Sequence, residues 1–301
     1  MLKLSLALVA LTMCSAALAS DIAITVDDLP THGGLPAGMS RQAVAEIFLR
    51  TFNENKVPQV YGFINAVGFE KDHSLRAILS AWTMAGHPLG NHTYSHLDLN
   101  LTDAATFIGD IEKNDAFLRQ TSGTRFFRFP YLHEGNTLAK RTKVRESLKR
   151  MSYRVAPVSI SFQDYAWNDP YLRCLTQKDG ASIRWLKDSF IESAIAGLTY
   201  AEKLSLAIYG RQIPQILLLH IGAFEAEVAG ELIAKLKLRG DSFITLEKAV
   251  SDAAYEEDPG LAFENGGFFF SQALKARKKT AEDYGLKNLD NFPAELSSIC
   301  R

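Results

Sequence analysis

"PQILLLHIG", residues Pro214 to Gly222, is the stretch on which the fold turns. Its apolar residues run on without the alternation of a half-exposed strand, so both faces of the strand must be covered. Strands of that kind belong to parallel sheets with helices packed outside them. The run then stops at a polar residue, His220.

Outward from this run, strand-like and helix-like segments alternate through most of the chain. "DIAITVDD" (Asp21–Asp28) precedes a helical pattern that starts at Ser40, a good N-cap, and runs to Asn55. "QVYGFINA" (Gln59–Ala66) leads to a helix ended by Gly86, and the short "HPLGNH" (His87–His92) to one from Thr102, read as its cap, to Thr121. "TRFFRFPY" (Thr124–Tyr131) is followed by a charged helix reaching Ser152. "YRVAPVSISFQD" (Tyr153–Asp164) comes before a mostly helical stretch over 170–208. A helix from Phe224 to Lys237 and "SFITLEKAV" (Ser242–Val250) complete the series. Seven β-then-α units predict an α/β chain with parallel strands, as a barrel or a doubly wound sheet. Beyond Val250 the pattern decays, so residues 251–301 read as an extension packed on a domain of residues 21–250.

Residues 1–20 read as a signal peptide: Lys3, an apolar run from Leu4 to Leu11, then Ala17-Leu18-Ala19 as cleavage site. The run is short for a membrane span of about 20 residues, so the expectation is export to the periplasm or beyond, with no span in the mature chain. About 280 residues remain, enough for one barrel-sized domain. With 33 basic and 34 acidic residues, the chain offers no electrostatic reason to bind nucleic acid or a membrane surface. "KRTKVRESLKR" (Lys140–Arg150) reads as a solvated helix face. Cys174 and Cys300 form either a disulfide tying the tail to the body, which export permits, or two buried thiols. Nothing in the sequence speaks to oligomeric state.

Five strands end in polar residues: Asp27-Asp28, His92, Arg128, Asp164 and His220. Sites in barrels and open parallel sheets form at the carboxyl ends of strands, so these five ends would converge. His92 and His96 in "NHTYSH" are four residues apart; on one helical turn both rings reach one cation. No glutamate follows the first histidine, so this is not the HExxH metalloprotease helix. A carboxylate from the first strand end completes a two-His, one-carboxylate set with positions open for water and substrate. Two adjacent aspartates then have separate jobs: one binds the cation, the other takes a proton from water. Neither G-x-S-x-G nor G-x-x-x-x-G-K-[ST] is present, against a serine hydrolase or a P-loop enzyme.

"TVDDLP", "HTYSH", "RFPY", "DYAW" and "LLLHIG", in that order from residue 25 to 222, resemble the polysaccharide deacetylase family, the NodB-homology domain of carbohydrate esterase family four. The resemblance implies a distorted (β/α) barrel of about seven parallel strands and an acetylated carbohydrate as substrate, such as chitin oligomers or peptidoglycan. It implies Asp27 as catalytic base and Asp28, His92 and His96 as ligands of a divalent ion, best zinc for that donor set. Arg128 would orient the base and Tyr131 offer its backbone N–H to the oxyanion. His220 would be the general acid, with Asp164 its orienting carboxylate.

The sequence departs from the family in places. Val26 and Leu29 stand where it usually has Phe and Gly, and Phe129 replaces a common proline. In the fourth motif Asp169 rivals Asp164, and Tyr165 or Trp167 is the aromatic partner. His32 in a glycine-rich loop, Asn65 at a strand end and Trp167 are candidate substrate contacts, and Tyr94 a candidate stacking ring. Two other functions fit parts of this pattern: a metal hydrolase of a non-sugar amide or imide, and a non-catalytic carbohydrate-binding barrel.

Overall fold

The computed structural model describes residues 19–119, 126–264, 266–287, 289 and 293–301. Residues 1–18 of the expected leader, and the expected helix end and strand start at 120–125, lie outside them. In chain order the elements are β1 (Asp21–Leu29), α1 (Arg41–Glu54), β2 (Tyr61–Ile64), α2 (Ala66–Lys71), α3 (Arg76–Met84), β3 (Leu89–Asn91), α4 (Ala104–Leu118), β4 (Phe126–Phe127) and α5 (Leu138–Arg150). They continue with β5 (Arg154–Val155), α6 (Asn168–Gln177), α7 (Gly180–Tyr209), β6 (Gln215–His220), α8 (Ala223–Leu238), β7 (Ser242–Phe243), α9 (Leu246–Val250) and α10 (Phe269–Ala276).

All strand pairs among the described residues are parallel, in the order β5-β4-β3-β2-β1-β6. β6 occupies one edge of β1 from Ile22 to Asp27, so β7 pairs with the start of β1 on the edge that β2 uses further along. The ring is completed by one parallel bridge, Ile160 to Leu217. The distorted α/β barrel of seven parallel strands is therefore the observed fold.

The fifth strand is shorter than the sequence predicts. Only Arg154 and Val155 pair with β4, and the Ala156 N–H makes the last bond across, to Phe127. Pro157 has no N–H to continue the ladder, and the chain crosses to β6 instead. Helix α1 starts at Ser40 as expected, its hydroxyl accepting from the Ala43 N–H. Helix α4 is capped by Asp103, not Thr102; the carboxylate accepts from two amides, Ala105 and Thr106.

Strand alternation explains where the polar residues go. Ile22, Ile24 and Val26 of β1, with Leu217, Leu219 and Ile221, pack into the main core under α1, α7 and α8. The intervening residues turn to the barrel interior, where Ala23 and Ile216 join Tyr61, Phe63 and Phe126 in a small core closed from below by α9. Further along the same interior rows stand Thr25 and Asp27, Leu218 and His220, and Arg128. Apolar residues fill the bottom of the barrel and titratable ones its carboxyl end.

Cys174 in α6 and Cys300 are joined by a disulfide with the Cα atoms 5.2 Å apart. Arg173 beside it donates to the Leu296 and Ile299 carbonyls, which fixes the chain end to α6. No helix among the described residues is long and apolar enough to cross a membrane.

Candidate metal centre and active site

Two consecutive strand residues should splay to opposite faces, and Asp27 and Asp28 do not. Asp28 sits in the left-handed region at φ 68°, and the β1–β2 register shifts between Val26 and Leu29. Such a bulge re-aims a side chain at the end of a ladder. Asp27 keeps its place in the interior row while Asp28 swings toward the same centre.

Asp28 Oδ1 lies 3.4 Å from His92 Nε2 and 3.2 Å from His96 Nε2. One ligand atom from each of the three lies within 4.8 Å of the others. The His92 Nδ1 is 2.8 Å from the Arg128 carbonyl, which holds that nitrogen protonated and turns the Nε2 lone pair inward. Burial, helped by repulsion from His92, pushes the His96 pKa down to about 4, so its ring is neutral and fit to ligate. Burial opposes the charge on Asp28, but contacts with His32 and His92 hold its carboxyl well below the usual range.

The histidine pair faces inward by a route the spacing did not predict. Residues 92–96 form a loop, not a helical turn, with Thr93 at φ 63° and His96 at φ 59°. Asn91 accepts from the Thr93 N–H, and Asp110 accepts from the N–H and hydroxyl of Ser95. Asn65 donates to the carbonyls of His92 and Thr93 at 2.6 and 3.0 Å. Its amide N–H groups are therefore committed to this loop, and Asn65 does not line the cleft that holds Asp27 and His220.

Beside these three candidate ligands, Asp27 is 2% exposed, and its Oδ2 lies 3.5 Å from Arg128 Nη1. The guanidinium is fully buried: Nε donates to the Ala156 carbonyl, Nη2 to Thr25, and the group lies over the Phe63 ring. Asp27 Oδ1 and Asp28 Oδ1 are both buried without a hydrogen-bond partner, a costly state for carboxylates unless a cation sits between them. Orphaned oxygens next to two inward Nε2 atoms fit a small divalent ion, and the mixed N/O donors suit zinc.

His220 makes two hydrogen bonds to one buried carboxylate. Its Nδ1 is 2.8 Å from Asp164 Oδ1, and its N–H donates to Asp164 Oδ2 at 2.6 Å. Burial disfavours the imidazolium, but Asp164, with Asp28 and Asp27 adding to it, raises the pKa to about 10. Asp164 is wholly buried, whereas the rival Asp169 is exposed on α6.

These residues open into one cleft of about 350 Å³, with Tyr131, half-exposed at φ 59°, on its wall and its ring 4.6 Å from His96. His32 lines it too, its Nδ1 3.0 Å from Asp28 Oδ2. Trp167 does not: it is fully buried between Phe162 and Phe190, its indole N–H donating to Ser189. The aromatic residue of that turn in the cleft is Tyr165, 5.3 Å from His220. Tyr94 is covered by Lys113 and bonded to Glu70. Sequence reading gave no role to His133, which lines the cleft with its Nδ1 2.8 Å from Asp98, or to Phe268. His133 directly follows "RFPYL", a usable signal; Phe268 lies far from every motif.

Residues 16–156 match the polysaccharide deacetylase family. A chitin deacetylase of Arthroderma benhamiae is 27% identical over 111 residues, 36% of this chain and 28% of that protein. A probable peptidoglycan-N-acetylglucosamine deacetylase of the same organism is 28% identical over 111 residues, 36% of this chain and 24% of that protein. The alignments thus span about a quarter of these relatives' length. Among solved structures, a polysaccharide deacetylase of Bacillus cereus superposes with a TM-score of 0.53 at 14% identity, over 75% of this chain and 91% of the other. A carbohydrate esterase family four pseudoenzyme of Bacillus anthracis gives 0.52 at 12% identity, over 77% and 66%. The α/β barrel is the fold that these solved structures share. Residues 16–156, a little under half of the chain, are similar to the polysaccharide deacetylase family.

Proposed function

We propose that this protein is an exported, metal-dependent hydrolase that removes acetyl groups from an acetylated polysaccharide or oligosaccharide. One observation carries the reading: Asp28, His92 and His96 converge on one centre, with Asp27 and a cationic His220 beside it in the same cleft. A pseudoenzyme shares the barrel, so the fold alone decides nothing; the reading is supported by the full set of side chains in the cleft.

A divalent ion, best zinc, held by Asp28, His92 and His96 would supply Lewis acidity to the acetyl carbonyl and to the attacking water. Asp27 takes the proton of the water as it adds to the carbonyl carbon, and Arg128 holds that carboxylate in place. The backbone N–H of Tyr131 donates to the oxygen on which charge develops. His220, kept protonated by Asp164, gives its proton to the departing sugar amine or alkoxide. An amine leaves poorly unless protonated, so an acid with a raised pKa suits the step. His32, 3.0 Å from the second oxygen of Asp28, serves the ligand carboxylate.

The test is acetate release from chitin oligomers, peptidoglycan and acetylated xylan, with and without a chelator. Release that stops with chelation and returns with zinc is the expected result. A protein that binds no divalent ion and frees no acetate from any of the three refutes the proposal. Preference for small amides or imides over the glycans would move the activity to the second reading, for which Leu29 in the loop beside Asp28 is the motive.

A further inference from the structure

Residues 251–301 lie outside the family match, yet one segment of them reaches the cleft. The Gly267 N–H donates to the Leu132 carbonyl at 2.8 Å, and the Phe263 N–H to Gly135 at 3.2 Å. Gln272, buried in α10, donates to Glu134 and to the Gly267 carbonyl, both at 2.7 Å. Arg145 of α5 holds Glu134 from the other side at 2.7 Å. These bonds fasten the extension along residues 132–135, directly after Tyr131. A Cβ at position 267 would lie 2.6 Å from Gln272 Nε2, so a side chain there would push the Gln272 amide off its partners.

The aromatic cluster that follows is divided. Phe269 and Phe270 are buried in the main core and anchor the segment. Phe268 is left half-buried on the cleft wall, beside Leu132, His133 and Leu218. A phenyl ring held at the edge of a polar site by a dedicated anchor gains most when an apolar surface covers it. The C–H face of a pyranose ring is such a surface.

We propose that Phe268 is a specificity-determining residue, presented by the C-terminal extension so that the sugar ring carrying the acetyl group packs against it. This rests on the reading of the cleft as a deacetylase site.

The experiment compares wild type, Phe268→Ala and Phe268→Trp by calorimetric titration with acetylated chito- and xylo-oligosaccharides. It also measures acetate release from those sugars and from 4-nitrophenyl acetate, which has the acetyl group but no sugar ring. Phe268→Ala should weaken sugar binding and raise KM about tenfold, a loss on the sugars several-fold greater than any on the small ester. Phe268→Trp should restore affinity. Equal sugar binding by wild type and Phe268→Ala, or an equal loss on both substrate kinds, overturns the assignment, as does a wild type that binds none of the sugars. A wild type that binds sugar without releasing acetate refutes the deacetylase reading and leaves the role of Phe268 standing.

Discussion

Asp27 and His220 are register partners at the carboxyl ends of β1 and β6. Paired residues on adjacent parallel strands point to the same face, so the proposed base and acid enter one cleft by backbone pairing rather than by any contact between them. The candidate metal ligands come from the bulge after Asp27 and the loop after β3, and so lie beside this pair.

Replacing the base separates turnover from metal binding. Asp27→Asn should lower kcat for acetate release about a hundredfold or more, while metal content per chain stays at the wild-type value. Release within a few-fold of wild type would remove Asp27 from the role of base.

The pH dependence follows from the sign of the His220 shift. Burial lowers its pKa and Asp164 raises it, with a net rise to about 10, so the acid is protonated throughout the neutral range. Asp164→Asn removes the raising charge and leaves the burial. The alkaline limb of kcat against pH should then move down by more than one unit, with a larger loss at pH 8 than at pH 6. In the metal-free protein, the stabilisation from charged His220 is complete below its unfolded pKa, about 6.5, and fades as pH rises toward 10. An alkaline limb that Asp164→Asn leaves in place counts against the dyad.

Metal binding should show as stability. A ligand that binds only the folded state, at a hundredfold over its Kd, adds about 2.7 kcal/mol, so zinc should raise the melting temperature. In His96→Ala the zinc-induced rise should disappear. A full rise in that variant would place the ion elsewhere.

Asn65 distinguishes holding the ligand loop from touching substrate. Asn65→Ala leaves the His92 and Thr93 carbonyls without their donor, a cost of about 1–3 kcal/mol, and should weaken zinc affinity. KM for the sugar, measured at saturating metal, should not change; a selective rise in KM would restore its role as a substrate contact.

The Cys174–Cys300 bridge spans 126 residues. Denatured, unreduced mature protein should show no free thiol, and Cys300→Ser should lose about 2–4 kcal/mol of stability. Two titratable thiols before reduction would exclude the bridge.

The sequence by itself determined the α/β class, the number of parallel strands and the polar strand ends, because all three are local patterns; closure into a barrel, by the Ile160–Leu217 bridge, is not one. An unbroken apolar run such as Ile216–Leu219 needs cover on both faces, and each strand-end side chain has its row set by parity. Tertiary structure alone decided how neighbours in sequence part company or come together. Asp28 joins Asp27 because a left-handed residue breaks parity, and His96 joins His92 through a pinned loop where spacing suggested a helix. Trp167 leaves the cleft to Tyr165 because its ring is buried between Phe162 and Phe190. Phe268 enters it from beyond the last motif, carried there by hydrogen bonds between segments more than a hundred residues apart in sequence. Such bonds leave no mark on the local pattern, since the chemistry of each residue is ordinary until the fold supplies its partner.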